Sequence, residues 1–175
     1  MQPSEALSTS AQVAVTLAGF AGVVVAFRNR SVHEWSKIDK FRLQILLANS
    51  GAPFVLSIFA MVLLSTNLDA PTTWRLSSVS SFVLIVWIAR GYGATYRRFF
   101  SQKEFKASGG RSAIFFTGSL AAIAVTVLQI YNVITLQTFW PFFAVIATFL
   151  VLAMLQFILL VSAHDDAKSQ QPPPN

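Results

Sequence analysis

Cysteine is absent from this chain and charge is scarce: only 11% of its 175 residues are Asp, Glu, Lys or Arg. The lack of cysteine excludes disulfides, thiolate metal sites, cysteine nucleophiles and thiol redox chemistry. Low charge excludes an ordinary soluble surface, which carries about a quarter charged residues. Histidine occurs twice, as His33-Glu34 and His164-Asp165-Asp166. Neither pair has the second histidine of a helical zinc motif, so both read as solvated segments and no metal ligand is assigned. No Ser/His/Asp constellation has usable spacing. No catalytic residue and no cofactor site are expected, and the chain is read as a non-enzyme.

What is present is apolar. Hydrophobic residues make up 54% of the chain, with 16 Phe and four Trp. A single soluble core of this length could not bury that much apolar surface. Five runs are long enough to cross a bilayer, which takes about 20 mainly apolar residues. They lie at residues 9–27, 41–64, 74–96, 113–134 and 140–161. The fold expected is an all-α integral membrane bundle of about five transmembrane helices with short loops. Four spans are the alternative, with one run re-entrant or lying on the membrane. Residues 1–8 read as a short polar tail and 162–175 as a polar tail ending in Gln170-Gln171-Pro172-Pro173-Pro174-Asn175, with a polyproline bias. The segment before the first run holds Glu5 and no Lys or Arg, unlike the positive start of a secretory signal, so that run is read as a retained helix.

The fourth and fifth runs are separated at Gln137-Thr138-Phe139-Trp140-Pro141. Proline lacks an N–H and disfavours helix in the residue before it, but it is accommodated in a helix's first turn. A tight turn and an antiparallel hairpin follow.

The net charge of +6 has a topological reading. Arg28, Arg30, Lys37, Lys40 and Arg42 fall between the first and second runs. Arg90, Arg97, Arg98, Lys103, Lys106 and Arg111 fall between the third and fourth. Only Arg75 sits on the opposite side. The positive-inside rule then puts both basic segments in the cytoplasm, the N-terminus outside and the C-terminus inside. A bacterial inner membrane is the expected location. Arg97, Arg98, Lys103 and Lys106, with Tyr92 and Tyr96 nearby, are expected to contact anionic headgroups on the cytoplasmic side. Nucleic acid is not an expected partner, because no basic helix is long enough to follow a groove. Gly91 and Gly93 have no strand before them and are not a dinucleotide fingerprint.

Three sets of residues inside the spans are candidates for function. Ser10, Ala14, Ala18, Gly22 and Ala26 recur every four residues in the first helix. Read as one stripe, they are a close-packing face, either against the chain's own helices or around an oligomer axis as a pore lining. Asn49, Ser50 and Pro53 form the second set. Pro53 deprives the Asn49 carbonyl of its usual donor and makes a kink or hinge. The third set is Gln129 and Asn132 on one face of the fourth helix, and Thr148 and Gln156, read as one face of the fifth. Amides and hydroxyls of this kind are expected to bond between helices. No ionisable side chain lies in the middle of a run, which disfavours a proton-driven transporter. A passive pore remains open.

Ser8-Thr9-Ser10-Ala11 through Gly19-Phe20-Ala21 resembles the pore helix of Orai-type calcium channels over about a dozen residues. That helix carries a glutamate and is preceded by basic residues. Here no acidic residue occupies the run and Arg28 and Arg30 follow it, so no residue role is transferred. Two functions are expected from the residues themselves: a homo-oligomeric pore or channel-like protein, or a non-catalytic accessory subunit or scaffold that binds another membrane protein or lipid.

Overall fold

The structure is a computed structural model that describes residues 2–27, 37–100 and 109–169. It is all-helical, with no strand among these residues. The helices are α1 (Pro3–Phe27), α2 (Lys37–Leu64), α3 (Ala70–Phe100), α4 (Gly109–Tyr131) and α5 (Phe139–Ser169). A π-helical turn, Asn132–Leu136, prolongs α4. Five helices are long and apolar enough to cross a membrane.

Both expected tails need correction. α1 begins at Pro3, six residues before the apolar run. Proline is preorganised for a first helical turn, and the Gln2 N–H donates to Glu5 Oε2 at 3.2 Å. Ala6 and Leu7, counted with the polar tail, are buried in the core. At the other end α5 continues through Ser169, so residues 162–169 are helical. Residues 170–175 lie outside the described residues.

Local chemistry explains the two described turns. At the end of α2, Ser65 Oγ donates to the Val62 carbonyl at 2.7 Å and Thr66 Oγ1 to the Leu63 carbonyl at 2.6 Å. The same two carbonyls accept the Ser65 and Thr66 N–H groups at 3.1 Å, so the helix end closes on three-residue bonds reinforced by the hydroxyls. Asp69 then caps α3, accepting from the Thr72 N–H at 3.1 Å, the role short acidic side chains fill at helix starts. After α4, Gln137 takes a left-handed conformation (φ 50°, ψ 42°) and its N–H donates to the Asn132 carbonyl at 2.9 Å. The expected antiparallel hairpin forms there.

Two apolar clusters fix the helix order in space. Leu7 of α1, Leu56 and Ala60 of α2, Trp74 of α3 and Phe142 of α5 pack together. Leu17 and Ala21 of α1 meet Leu46 of α2 and Ala153 of α5. Early α1 therefore lies beside late α2 and early α5, which makes neighbouring helices antiparallel and α1, α3 and α5 parallel. Trp74 meets Phe139 in a tilted ring contact at 4.9 Å at one end, and Phe41 meets Tyr92 at 6.2 Å at the other. α2 and α5 form the centre; α1 packs on both, while α4 packs chiefly on α3 and α5.

Candidate functional site

The bundle is apolar outside, and a set of polar side chains is buried beside its apolar clusters. Val55, Val83, Trp87, Leu120, Ile123, Val127 and Val151 are exposed. Ser10, Asn49, Ser50, Ser57, Ser77, Ser78, Ser81, Gln129, Asn132 and Gln156 are buried. Water would favour the reverse distribution. Lipid makes apolar side chains costless outside and drives polar groups to find partners inside.

The largest polar cluster joins α3 to the α4–α5 turn. Ser78 and Ser81 are three residues apart on α3, and Gln129 and Asn132 are three apart on α4. In antiparallel register they meet pairwise. Asn132 Nδ2 donates to Ser78 Oγ at 2.7 Å, and Ser81 Oγ donates to Gln129 Oε1 at 3.1 Å. The same amides also hold the turn: Gln129 Nε2 donates to the Pro141 carbonyl at 2.8 Å. Asn132 Nδ2 donates to the Thr138 carbonyl, and Asn132 Oδ1 accepts from the Thr138 N–H, both at 3.1 Å. Asn132 thus uses both amide hydrogens and its oxygen. These two residues clamp helices together.

The first-helix stripe divides. In an α-helix each residue advances by about 100°, so a strict four-residue repeat drifts by roughly 40° per step. Ser10 and Ala14 are buried, Ala18 is half-buried, and Gly22 and Ala26 are exposed. The stripe starts on the inward face and ends on the outward one. The inward seam runs instead through Leu7, Ser10, Ala14, Leu17 and Ala21, all buried. The outward face carries a second seam, Thr9, Gln12, Thr16, Gly19, Val23 and Ala26, all exposed. Its alternating three- and four-residue spacing is that of a helix-pairing seam. A Cβ built on Gly19 or Gly22 meets nothing within 4 Å. Reading the sequence in steps of four concealed this seam; steps of three and four reveal it.

Around Pro53 the three candidates separate. Ser50 Oγ donates to the Leu46 carbonyl at 2.9 Å and Pro53 is fully buried. Asn49 is 8% exposed, and no hydrogen bond reaches its amide among the described residues. Asn49 lines a cavity of about 150 Å³ with Ile85, Ala122, Val125, Thr148 and Phe149. A wider apolar groove of about 410 Å³ runs between α2 and α3, past Gly51, Leu84 and Trp87. Ile88 borders both spaces.

On α5 the expected common face of Thr148 and Gln156 does not form. Eight residues turn the helix roughly 80° away from alignment. Thr148 lines the cavity, whereas Gln156 is buried with no partner for its Oε1. It follows Ala153, which packs toward α1 and α2, by one turn.

The basic candidates lie at the opposite end of the bundle from Asp69. Arg97 and Arg98 are in the last turn of α3, while Lys103 and Lys106 lie outside the described residues. Arg90 is exposed. Among the described residues no three His, Cys, Asp or Glu side chains are grouped as a metal site would need. Comparison with protein-family models, with curated proteins and with solved structures gives no match, so the functional reading rests on these side chains and their surroundings.

Proposed function

We propose that the chain is a non-catalytic multi-pass protein of the bacterial inner membrane that assembles into a homo-oligomer through the outward seam of α1, enclosing a channel-like passage. One observation carries this reading. Thr9, Gln12 and Thr16 are exposed on α1, inside a helix apolar enough to span a membrane. A glutamine facing hydrocarbon would leave amide groups without partners. Facing other copies of α1, those groups bond to one another or to water, and Gly19, Gly22 and Ala26 let the backbones approach.

In this arrangement the N-terminus is outside and the C-terminus cytoplasmic. Anionic headgroups on the cytoplasmic side are the proposed partners of Arg97, Arg98, Lys103 and Lys106, each worth roughly 1 kcal/mol near the surface. The buried amides at Gln129 and Asn132 act in packing, which supports a role without chemistry of its own.

The absence of native cysteine makes the test clean. Single cysteines at Thr16→Cys or Gly19→Cys should crosslink in native membranes to a dimer of twice 19.2 kDa. Ala14→Cys, on the inward seam, should not. Gly19→Leu should abolish crosslinking at Thr16→Cys and stop release of a small trapped solute from liposomes. Crosslinking to a different protein in fixed ratio would replace the pore with the accessory-subunit reading. A species that stays monomeric in mild detergent and in membranes would overturn self-assembly.

A further inference from the structure

We propose that the cavity enclosed by α2, α3, α4 and α5 is a binding site for a small neutral molecule with one hydroxyl on an apolar body, held by the Asn49 amide. This site lies across the bundle from the outward seam of α1 and stands independently of the pore reading.

The polar end of the site is defined by two side chains. Asn49 is more than nine-tenths buried and lines the cavity, and its amide has no hydrogen-bond partner among the described residues. Its oxygen can accept and its nitrogen can donate. Thr148 Oγ1 gives its hydrogen to the Ala144 carbonyl at 2.7 Å, which leaves the oxygen on the cavity wall able to accept. A hydroxyl is the smallest group that both donates and accepts, and it matches this pair.

The rest of the wall is Ile85, Ile88, Ala89, Ala122, Val125, Phe149 and Leu152. It is uncharged, so an ion would be buried without a counter-charge, a prohibitive arrangement. The volume of about 150 Å³ is that of an apolar cavity able to take a molecule the size of benzene. Access is lateral. Ala89 is exposed and Ile88, Ala122 and Val125 are half-buried, so the α3–α4 wall reaches the outer surface, where a lipophilic molecule arrives from the bilayer. Depth agrees: Asn49 and Thr148 each lie nine residues inside their spans, which begin at Lys40 and Phe139. At 1.5 Å per residue, that is about 13 Å from the start of each span, and the two spans start at opposite ends of the bundle.

The experiment uses the full chain in nanodiscs with two probes, a short-chain alcohol bearing a diazirine and a hydrocarbon diazirine of equal length. After photolysis, mass spectrometry maps the labelled residues. The alcohol should label residues 85–89 and 122–125, and excess non-photoactive alcohol should remove that label. The hydrocarbon should label them several-fold less. Asn49→Leu, close in size but unable to hydrogen-bond, should lower alcohol labelling about fivefold, the effect of one lost hydrogen bond. Ala122→Leu should fill the space and remove the label while Asn49 remains. Equal labelling by the two probes, failure of competition, or unchanged labelling in a folded Asn49→Leu protein would each overturn the site. Should Asn49→Leu fail to fold, the probe comparison on the native chain decides.

Discussion

Asn132 donates from Nδ2 to Ser78 Oγ at 2.7 Å while its Oδ1 accepts from the Thr138 N–H at 3.1 Å. One side chain therefore ties α4 to α3 and also closes the turn into α5. The π-helical turn of residues 132–136 sits at this same residue. The backbone carbonyl of Asn132 takes the Gln137 N–H, five residues on, as the side chain reaches the residue beyond.

Removing that side chain should expose its two roles. Asn132→Leu leaves the Thr138 N–H and the Ser78 hydroxyl without their partner. Such a loss should cost about 1–3 kcal/mol of stability. Ser78→Ala removes one interhelical bond and should cost about 0.6 kcal/mol. Reversible unfolding in mixed detergent measures both, and the double variant should be less destabilised than the two single losses combined. A fully additive result would refute the coupling.

Gln137 adopts a left-handed conformation, with φ at 50°. Side chains with a Cβ pay for this geometry and glycine does not. Gln137→Gly should therefore stabilise the hairpin by up to about 1 kcal/mol, since glycine is the usual residue just past a helix end. The same unfolding assay reads the change. Destabilisation instead would reveal a structural contact of the Gln137 side chain.

Two glycines separate folding from assembly. Gly19 faces open space, whereas a Cβ on Gly118 would meet Leu152 Cδ2 at 3.2 Å. Gly118→Leu should overpack α4 against α5 and cost about 1–3 kcal/mol. Gly118→Ala should be far milder, because the end of a leucine side chain can turn away. Gly19→Leu should leave folding intact and lower the apparent mass in light scattering. A Gly19→Leu protein that unfolds would show that the outward face of α1 is not free in the subunit.

Asp69 brings a pH dependence at the α2–α3 turn. The Thr72 hydroxyl and backbone N–H hold its carboxyl below the ordinary 3.8, with help from Arg75. A depressed carboxylate stabilises the folded state above the unfolded pKa, and the benefit disappears as pH falls through the folded value. The helix cap should thus weaken below pH about 4. Asp69→Asn should keep the cap and lose the pH dependence; Asp69→Ala should lose both. Thermal melts at neutral and acidic pH distinguish the three proteins. Equal acid sensitivity in native and Asp69→Asn chains would assign the effect to other groups.

The number and order of the helices were legible in the chain because spanning length and apolarity are summed properties of a local segment. The turn at Gln137–Pro141 was legible for the same reason, since proline acts on its immediate neighbours. The pairing of Gln129 and Asn132 on one face also followed from local spacing. Their partners Ser78 and Ser81 required antiparallel register, and the serine cluster at the start of α3 was the available signal.

Facing is where local reading failed and tertiary structure decided. In a water-soluble helix the apolar stripe announces its buried side, but here each side of α1 mixes polar with apolar or small residues, Ser10 on one and Gln12 on the other, so composition could not say which seam turns inward. Packing of Leu7 and Leu17 against α2 and α5 settled it, sending Gly22 and Ala26 outward. Asn49 and Asn132 look alike as residues in apolar runs. Only the neighbours brought up by folding made one fully bonded and left the other facing a cavity, because hydrogen-bond satisfaction depends on what distant segments place within about 3 Å.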